Sequence, residues 1–394
     1  MTDNTFHSPQ PGRYAALVTS IGRRNLVAGL SFSMLAAIAC TRATDPPNPQ
    51  MPAAPSASVT IGAGADAAPT PPSLVRLVGR FDSSDPAGAR FAWPGSAVVG
   101  RFKGTGIAVR LKDDGKNFFQ VLVDGEPKAV LHADAHKEVY PLAEGLPDGV
   151  HDVAIYRRTE PKLGETTFLG FETAGTLLPP PPRPDRRIEL IGDSITAGYG
   201  NEGPNATCTF NPAEENQYQT YGAITARALG AEHVTIAWSA QTIGQMTEYF
   251  ERTLPARPDS QWDFKAWVPQ VVVLNVGTNN FATYDPTEVR YVRIYTALFD
   301  RVRKVYPDAF IVCLLGPMLT DIYPPGKKNL TLARRYMQAT MAKIKDSGEK
   351  NFEYVELPEQ NHANGLGCGF HPSLKTHKLM SDRLVQIIHE KLRW

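Results

Sequence analysis

The chain has 394 residues, and its 41 lysines and arginines nearly balance its 40 aspartates and glutamates, which gives a formal charge of +1 at pH 7. This length suits two domains with additional terminal segments. The balanced charge argues against the basic surface of a nucleic-acid-binding protein, so we expect no nucleic-acid partner. The sequence contains no CxxC or HExxH pattern and no glycine-rich phosphate loop, so we expect no metal and no other cofactor.

The first 39 residues have the features of an export signal. Arg23 and Arg24 precede an apolar stretch that is too short to span a bilayer comfortably. Cys40 follows, where a bacterial lipoprotein signal places its acylated cysteine, although Ala37 replaces the usual leucine. We predict a signal peptide over residues 1–39 and an exported protein that is anchored to the membrane only through a lipid on Cys40. Cleaved secretion and twin-arginine export are the alternatives.

Three further segments precede the C-terminal half of the chain. Residues 40–73 are rich in Pro, Ala, Ser and Thr, and this composition predicts a disordered tether. Residues 74–178 contain short runs of alternating apolar residues, such as 107–111, with an Asp124-Gly125 turn, which predicts an antiparallel β-sandwich. Four consecutive prolines then make residues 179–186 a stiff linker.

Strands alternate with helices over residues 187–394. We predict strands near residues 187–192, 233–238, 270–275, 309–315 and 352–356, and helices near 218–229, 286–306, 329–345 and 373–392. This alternation is typical of an α/β domain with a parallel sheet covered by helices.

Ser194 follows the first of these strands, in a Gly-Asp-Ser turn that opens a helix near Ile195. A sharp strand-to-helix turn exposes a serine hydroxyl at the carboxyl edge of the sheet, where it can act as a nucleophile. By itself, the Gly-Asp-Ser string is more typical of a helix cap. Three other segments favour the nucleophile.

His371 lies before Pro372, which restricts it to an extended conformation ahead of the last helix. A histidine fixed there can accept the proton of a serine hydroxyl; the alternative is a surface loop histidine. We predict surface positions for the remaining histidines of this kind: His132, His136, His362, His377 and His389.

Two other strand ends offer donors for an oxyanion. Asn279 follows the strand near 270–275, and its side-chain amide can donate a hydrogen bond. Ala240 follows the strand near 233–238, and its backbone N–H can be a second donor. The alternatives are an asparagine that caps a turn and a small residue in an ordinary loop.

Together, the four segments resemble the SGNH hydrolase superfamily. The resemblance implies that Ser194 is the nucleophile, that His371 is the base, and that Ser194, Ala240 and Asn279 form the oxyanion hole. It also implies a three-layer α/β/α fold. The sequence departs from the family pattern at Ala240, where glycine is usual, and at Cys368, which replaces the acid three residues before the histidine.

The segments FAWPGSAVVGRFKGTGIAVRL and GETTFLGFE resemble the N-terminal jelly-roll domain of carbohydrate esterase family two. GYGNEG, TYGAITARALGA and GCGFHPS resemble its hydrolase domain, so the resemblance covers nearly the whole chain after residue 75. It implies a carbohydrate esterase that removes acetyl groups from sugars in oligo- or polysaccharides. Trp238 and Phe370 flank the site and are candidate sugar contacts, although a strand position favours the core for Trp238.

Two other functions compete with this interpretation. A lipase- or thioesterase-like hydrolase would use the same catalytic residues, but no long apolar lid segment is evident. A glycan-binding surface lipoprotein with weak catalysis would explain why Gly369 stands where family two carries an aspartate. Turnover of a short activated ester separates the glycan-binding function from either enzyme, and a chain-length series of esters tests the acyl preference.

The cysteines and the missing acid lead to two further predictions. Cys40 is assigned to the lipid, and Cys313 lies in an apolar strand, which leaves Cys208 and Cys368 for a disulfide in an exported protein. No carboxylate is aimed at His371 by its spacing, so we expect a backbone carbonyl from residues 365–369 to accept its second N–H.

Overall fold

Residues 74–394 are described by a computed structural model. The predicted signal peptide (1–39), the predicted tether (40–73) and the predicted lipidation site Cys40 lie outside the described residues. In the part that is described, no helix is both long and apolar enough to cross a membrane.

An antiparallel β-sandwich forms the N-terminal domain. Its ten strands are β1 (Val75–Val78), β2 (Ala89–Phe91), β3 (Ala97–Gly104), β4 (Ile107–Lys112), β5 (Phe118–Val123), β6 (Glu126–His132), β7 (Val139–Ala143), β8 (Gly149–Arg157), β9 (Thr166–Glu172) and β10 (Thr176–Leu178). One sheet has the order β1-β3-β8-β5-β6, with β10 also on β3, and the other has the order β2-β9-β4-β7. Asp124 and Gly125 both have positive φ, which suits the tight hairpin between β5 and β6.

The alternating side chains of β4 explain why this domain is a sandwich. Ile107, Val109 and Leu111 are buried between the two sheets, and the residues between them are more exposed. Alternation with period two places one face of a strand in a core and the other towards solvent. The sequence prediction of a β-sandwich is therefore confirmed.

A five-stranded parallel sheet forms the centre of the C-terminal domain. Its strands are β11 (Arg187–Gly192), β12 (Glu232–Ala237), β13 (Val271–Asn275), β14 (Phe310–Leu315) and β15 (Phe352–Glu356), in the order β12-β11-β13-β14-β15. The helices are α1 (Ser194–Ala197), α2 (Tyr221–Ala228), α3 (Ile243–Tyr249), α4 (Thr278–Thr283), α5 (Glu288–Val305), α6 (Asn329–Asp346) and α7 (Leu374–Leu392). All five predicted strands are present.

Helices cover both faces of this sheet. Val272 and Leu274 of β13 pack in one core with residues of α3, α5 and α6. Val271 and Val273 alternate with them and pack in a second core with residues of α2 and α7. A parallel strand buried on both faces reads as a continuous apolar run, as the sequence of β13 does. The predicted three-layer α/β/α architecture is confirmed.

A buried ion pair joins the two domains. Arg80 of the sandwich places its Nη2 3.0 Å from Oε1 of Glu189 in β11, and both side chains are buried. Burial raises the pKa of Glu189. The Arg80 guanidinium also lies about 5 Å from the ring centroids of Phe250, Trp262 and Phe264. The sandwich therefore packs directly against the strand that leads to Ser194.

Candidate active site

Three neighbouring strands deliver the predicted site residues to one edge of the sheet. Gly192, the last residue of β11, pairs with Ala237 of β12 on one side and with Asn275 of β13 on the other. Ser194 therefore follows the middle strand, between the loops that follow its two neighbours. Because the strands are parallel, these loops emerge at the same carboxyl edge.

The turn before Ser194 requires glycine and is closed by an aspartate. A Cβ on Gly192 would lie 2.1 Å from Thr196 Oγ1, so no larger residue fits there. Asp193 accepts the N–H of Ile195 at 3.2 Å, and its burial raises the pKa of its carboxyl group to about 7. The helix that follows is only four residues long, because Gly198 ends it with a left-handed φ of 87°. A helix of four residues contributes only a small dipole at Ser194.

His371 is hydrogen-bonded to Ser194 and to a backbone carbonyl. Its Nε2 lies 2.8 Å from Ser194 Oγ, and its Nδ1 lies 3.0 Å from the carbonyl oxygen of Cys368. Because a carbonyl oxygen can only accept, Nδ1 must carry the proton and donate it. The lone pair of Nε2 is then directed at the Ser194 hydroxyl, as a general base requires. The expected backbone acceptor is present, in the predicted segment.

The pKa of His371 favours the base form. Desolvation lowers it to about 4, although the carbonyl groups of Cys368 and Gly369 oppose that shift. Only the neutral imidazole accepts a proton. As the pH falls from 7, kcat/KM should therefore stay constant at first and then decrease to half its maximum near pH 4. Activity measured from pH 3 to 9, with tryptophan fluorescence to exclude unfolding, checks this prediction. A half-maximum at pH 6.5 or above would contradict it.

The loop before His371 contains two consecutive left-handed residues. Gly369 and Phe370 both have φ of 62°, and a Cβ on Gly369 would lie 3.4 Å from His371 Nδ1. An aspartate at position 369 would therefore be strained and crowded. The ring of Tyr199 packs against the imidazole at a centroid distance of 4.5 Å. The sequence analysis did not identify Tyr199 as part of the site.

The acidic residues nearest to His371 in the sequence do not hydrogen-bond to it in the described part of the chain. Glu356 pairs with Arg334, Asp382 pairs with Lys378, and Glu359 is exposed. Replacing Glu356, Glu359 or Asp382 singly by its amide should therefore change kcat by less than about tenfold, since none of them sets the imidazole tautomer. Steady-state kinetics on an acetyl ester checks this. A loss of about a hundredfold in a folded amide variant would reveal a triad acid.

The disulfide between Cys208 and Cys368 that the sequence analysis predicts is present. It joins the loop after α1 to the residue whose carbonyl holds His371. The two sulfurs lie close to Glu214, but they are bonded to each other, so this group is not a metal site. Cys368 also donates its N–H to the carbonyl of Gly200 at 3.0 Å.

Removing the disulfide should lower kcat more than it changes KM. Cys208→Ser frees Cys368 from one of its two tethers, so the carbonyl that fixes the His371 tautomer can move, and a displacement of this kind should cost about tenfold or more in kcat. Cys313→Ser is the control, because Cys313 is a free buried thiol in β14. Unchanged kcat in Cys208→Ser, or free thiols at both Cys208 and Cys368 in the native protein by mass spectrometry, would contradict the prediction.

Ala240 and Asn279 lie beside each other at the sheet edge. Asn279 donates its Nδ2 to the carbonyl of Gln241 at 3.0 Å, which ties α4 to the residue after Ala240. An amide nitrogen carries two hydrogens, so the second remains for an acyl oxygen. Ala240 has a left-handed φ of 64°, a conformation that glycine adopts without strain. This explains physically why a glycine is usual here in the superfamily.

The aromatic candidates differ in exposure. Trp238 directly follows β12 and is partly buried. It packs against the core and on Tyr249, at a centroid distance of 4.9 Å. Phe370 is 51% exposed and directly precedes His371. The predicted surface position of His377 is wrong, because this residue is buried in α7 and its Nδ1 accepts the N–H of Tyr221. Desolvation lowers its pKa to about 3.

The family of the chain follows from comparison with known proteins. Residues 77–182 match the family described as carbohydrate esterase 2 N-terminal, and residues 190–379 match the GDSL-like lipase/acylhydrolase family. A solved family two carbohydrate esterase from Clostridium thermocellum, in complex with cellohexaose, is 41% identical with a TM-score of 0.77, over 81% of this chain and 99% of that one. The chain belongs to carbohydrate esterase family two.

Two curated relatives are similar to this chain over most of the chain's length. The cellulase/esterase CelE of Acetivibrio thermocellus is 42% identical over 328 residues, which are 80% of this chain and 39% of CelE. An acetylxylan esterase/glucomannan deacetylase of Cellvibrio japonicus is 27% identical over 341 residues, which are 80% of this chain and 89% of that protein. The chain thus spans less than half of CelE.

Proposed function

We propose that this protein is a carbohydrate esterase that removes O-acetyl groups from sugars through an acetyl-enzyme on Ser194. The observation that carries the proposal is the Ser194–His371–Cys368 arrangement, in which the imidazole is 2.8 Å from the hydroxyl and is held by a carbonyl oxygen. Membership of family two supports the acetylated carbohydrate as substrate.

The proposed reaction has two steps that use the same residues. Ser194 Oγ attacks the acetyl carbonyl while Nε2 of His371 takes its proton, and the negative oxygen is bound by the N–H groups of Ser194 and Ala240 and the Asn279 amide. Nε2 then gives the proton to the departing sugar oxygen. Water attacks the acetyl-Ser194 ester by the same route, which releases acetate and restores the serine.

The substrate class rests on the relatives and on the rim of the site. The Cellvibrio japonicus relative is described as an acetylxylan esterase and glucomannan deacetylase, and the Clostridium thermocellum esterase was solved with cellohexaose. We propose acetylated oligo- or polysaccharides of this plant type as the substrate. The exposed Phe370 offers an apolar face to a sugar ring. Trp238 is partly buried and packs against the core, so it is the weaker candidate for a sugar contact.

A series of activated esters of increasing acyl length tests this function against its rivals. An acetyl esterase should prefer acetyl to butyryl and longer esters by about tenfold or more in kcat/KM. Preference for long acyl chains would support the lipase- or thioesterase-like alternative. Hydrolysis of no ester, together with retained glycan binding, would support the glycan-binding alternative.

We also propose that the protein is exported and attached to the membrane by a lipid on Cys40. The predicted signal over residues 1–39 supports this, and the Cys208–Cys368 disulfide suits an oxidising compartment. Palmitate labelling of the wild-type protein and of Cys40→Ser in a bacterial host tests it. Equal labelling of both would contradict the anchor.

A further inference from the structure

Glu160 belongs to the sandwich domain, and its carboxylate contacts the segment of residues 239–241. We call this segment the oxyanion loop, because it contains the proposed oxyanion donor Ala240. It follows β8 by three residues, and its side chain is fully buried. Its Oε2 accepts the backbone N–H of Ser239 at 2.6 Å. Ser239 directly precedes Ala240, so this contact between domains ends one residue away from a proposed oxyanion donor.

The backbone of Glu160 is itself held firmly. Its N–H donates to Oε2 of the buried Glu215 at 3.1 Å, and its carbonyl accepts from Nη2 of Arg157 at 3.3 Å. The guanidinium of Arg157 is buried and donates further to the carbonyls of Thr159 and Gly164 at 2.9 and 2.7 Å. Glu160 therefore presents its carboxylate from a fixed position rather than from a mobile loop.

The loop that Glu160 contacts is held under strain. Ala240 has φ of 64°, a conformation that is strained for a residue with a side chain and persists only where its surroundings hold it. The hydrogen bond from Asn279 to Gln241 holds the loop after Ala240, and Glu160 holds it before Ala240. Without the Glu160 acceptor, the Ser239 N–H loses a buried partner, and the backbone directly before Ala240 is held less firmly.

We infer that Glu160 is a positioning residue for the hydrolysis reaction: its side-chain oxygen fixes the Trp238–Ser239 peptide, and this restricts the backbone at Ser239 so that the N–H of Ala240 points at the acyl oxygen. The inference rests on the proposed function, and it makes the sandwich domain part of the catalytic apparatus. The role of Glu160 requires a hydrogen-bond acceptor on a side chain long enough to contact the Ser239 N–H. The negative charge is dispensable, which agrees with the burial that raises the pKa of Glu160.

Three substitutions of Glu160 in the full chain distinguish the effect of side-chain length from the effect of the negative charge. Glu160→Gln keeps an oxygen at the same reach, and its kcat on an acetyl ester should stay within about threefold of wild type. Glu160→Asp keeps the charge but is one methylene shorter, and Glu160→Leu removes the acceptor. Both should lower kcat by about tenfold to a hundredfold with KM changed less than about twofold, because a displaced oxyanion donor weakens transition-state binding alone.

Glu165→Leu is the matched control. Glu165 also crosses between the domains, where it pairs with Arg257 at 2.8 and 2.7 Å, but it does not contact the oxyanion loop. Its kcat should equal that of wild type even if its melting temperature falls. A loss in Glu160→Gln as large as that in Glu160→Asp, or wild-type kcat in a folded Glu160→Asp, would overturn the inference. If Glu160→Leu does not fold, the comparison of the glutamine and aspartate variants decides.

The outcomes also distinguish the inference from the function on which it rests. A wild-type protein that hydrolyses no acetyl ester overturns the proposed function, and the inference with it. An active wild type whose Glu160 variants and Glu165→Leu all keep full kcat overturns only the inference.

Discussion

Ser194→Ala should keep its fold and lose esterase activity by about ten-thousandfold or more. Ser194 is 8% exposed and its hydroxyl bonds to His371, so the substitution removes one oxygen atom without adding bulk. No other hydroxyl lies in the turn between β11 and α1. Hydrolysis of an activated acetyl ester measures the loss, and circular dichroism checks the fold. Activity within about tenfold of wild type would rule out Ser194 as the nucleophile.

A covalent label provides the control for this variant. A sulfonyl fluoride reacts with serine hydroxyls that a neighbouring base activates, so it should modify the wild-type protein once, on the peptide that contains Ser194. Ser194→Ala should remain unmodified under the same conditions. Labelling at a different residue, with loss of activity, would show that the nucleophile has been misplaced.

Asn279→Ala should lower kcat by about a hundredfold to a thousandfold, which is about 3 kcal/mol of transition-state stabilisation. The amide has one hydrogen on the carbonyl of Gln241 and a second for the developing oxyanion. Because the oxyanion forms only in the transition state, KM should change little. Kinetics on an acetyl ester measures both constants.

Thr278→Ala is the control for Asn279→Ala, because Thr278 is the neighbouring partly buried residue at the start of α4. Its kcat should stay within about threefold of wild type. Equal losses in the two variants would indicate damage to α4 rather than loss of an oxyanion donor. Full activity in Asn279→Ala would remove Asn279 from the oxyanion hole.

Local patterns were sufficient to predict the sheet and the residues at its edge. The run Val271–Leu274 is apolar throughout because β13 is covered on both faces. The Gly-Asp-Ser turn and the His371-Pro372 pair are short motifs that each fix a local backbone conformation. The absence of a well-placed acid in the sequence also predicted the carbonyl acceptor, now seen as Cys368.

Contacts between the two domains, and burial that depends on how helices pack together, could not be predicted. Glu160 and Ser239 are 79 positions apart, and nothing in the sequence around Glu160 distinguishes it from a surface acid. His377 has an ordinary position on an amphipathic helix, and its burial depends on the packing of α2 against α7. The left-handed φ of Ala240 likewise could not be predicted, because an alanine rarely adopts this conformation.

We propose that Ser194 deacetylates a carbohydrate. Acetate released from acetylated xylan and acetylated glucomannan, measured for the wild-type protein and Ser194→Ala side by side, tests this most directly. We predict steady acetate release by the wild-type protein from at least one of the two polysaccharides, and none above background by Ser194→Ala. Acetate release that persists in Ser194→Ala would contradict the role of Ser194. A wild-type protein that cleaves activated esters but releases no acetate from either polysaccharide would contradict the proposed substrate.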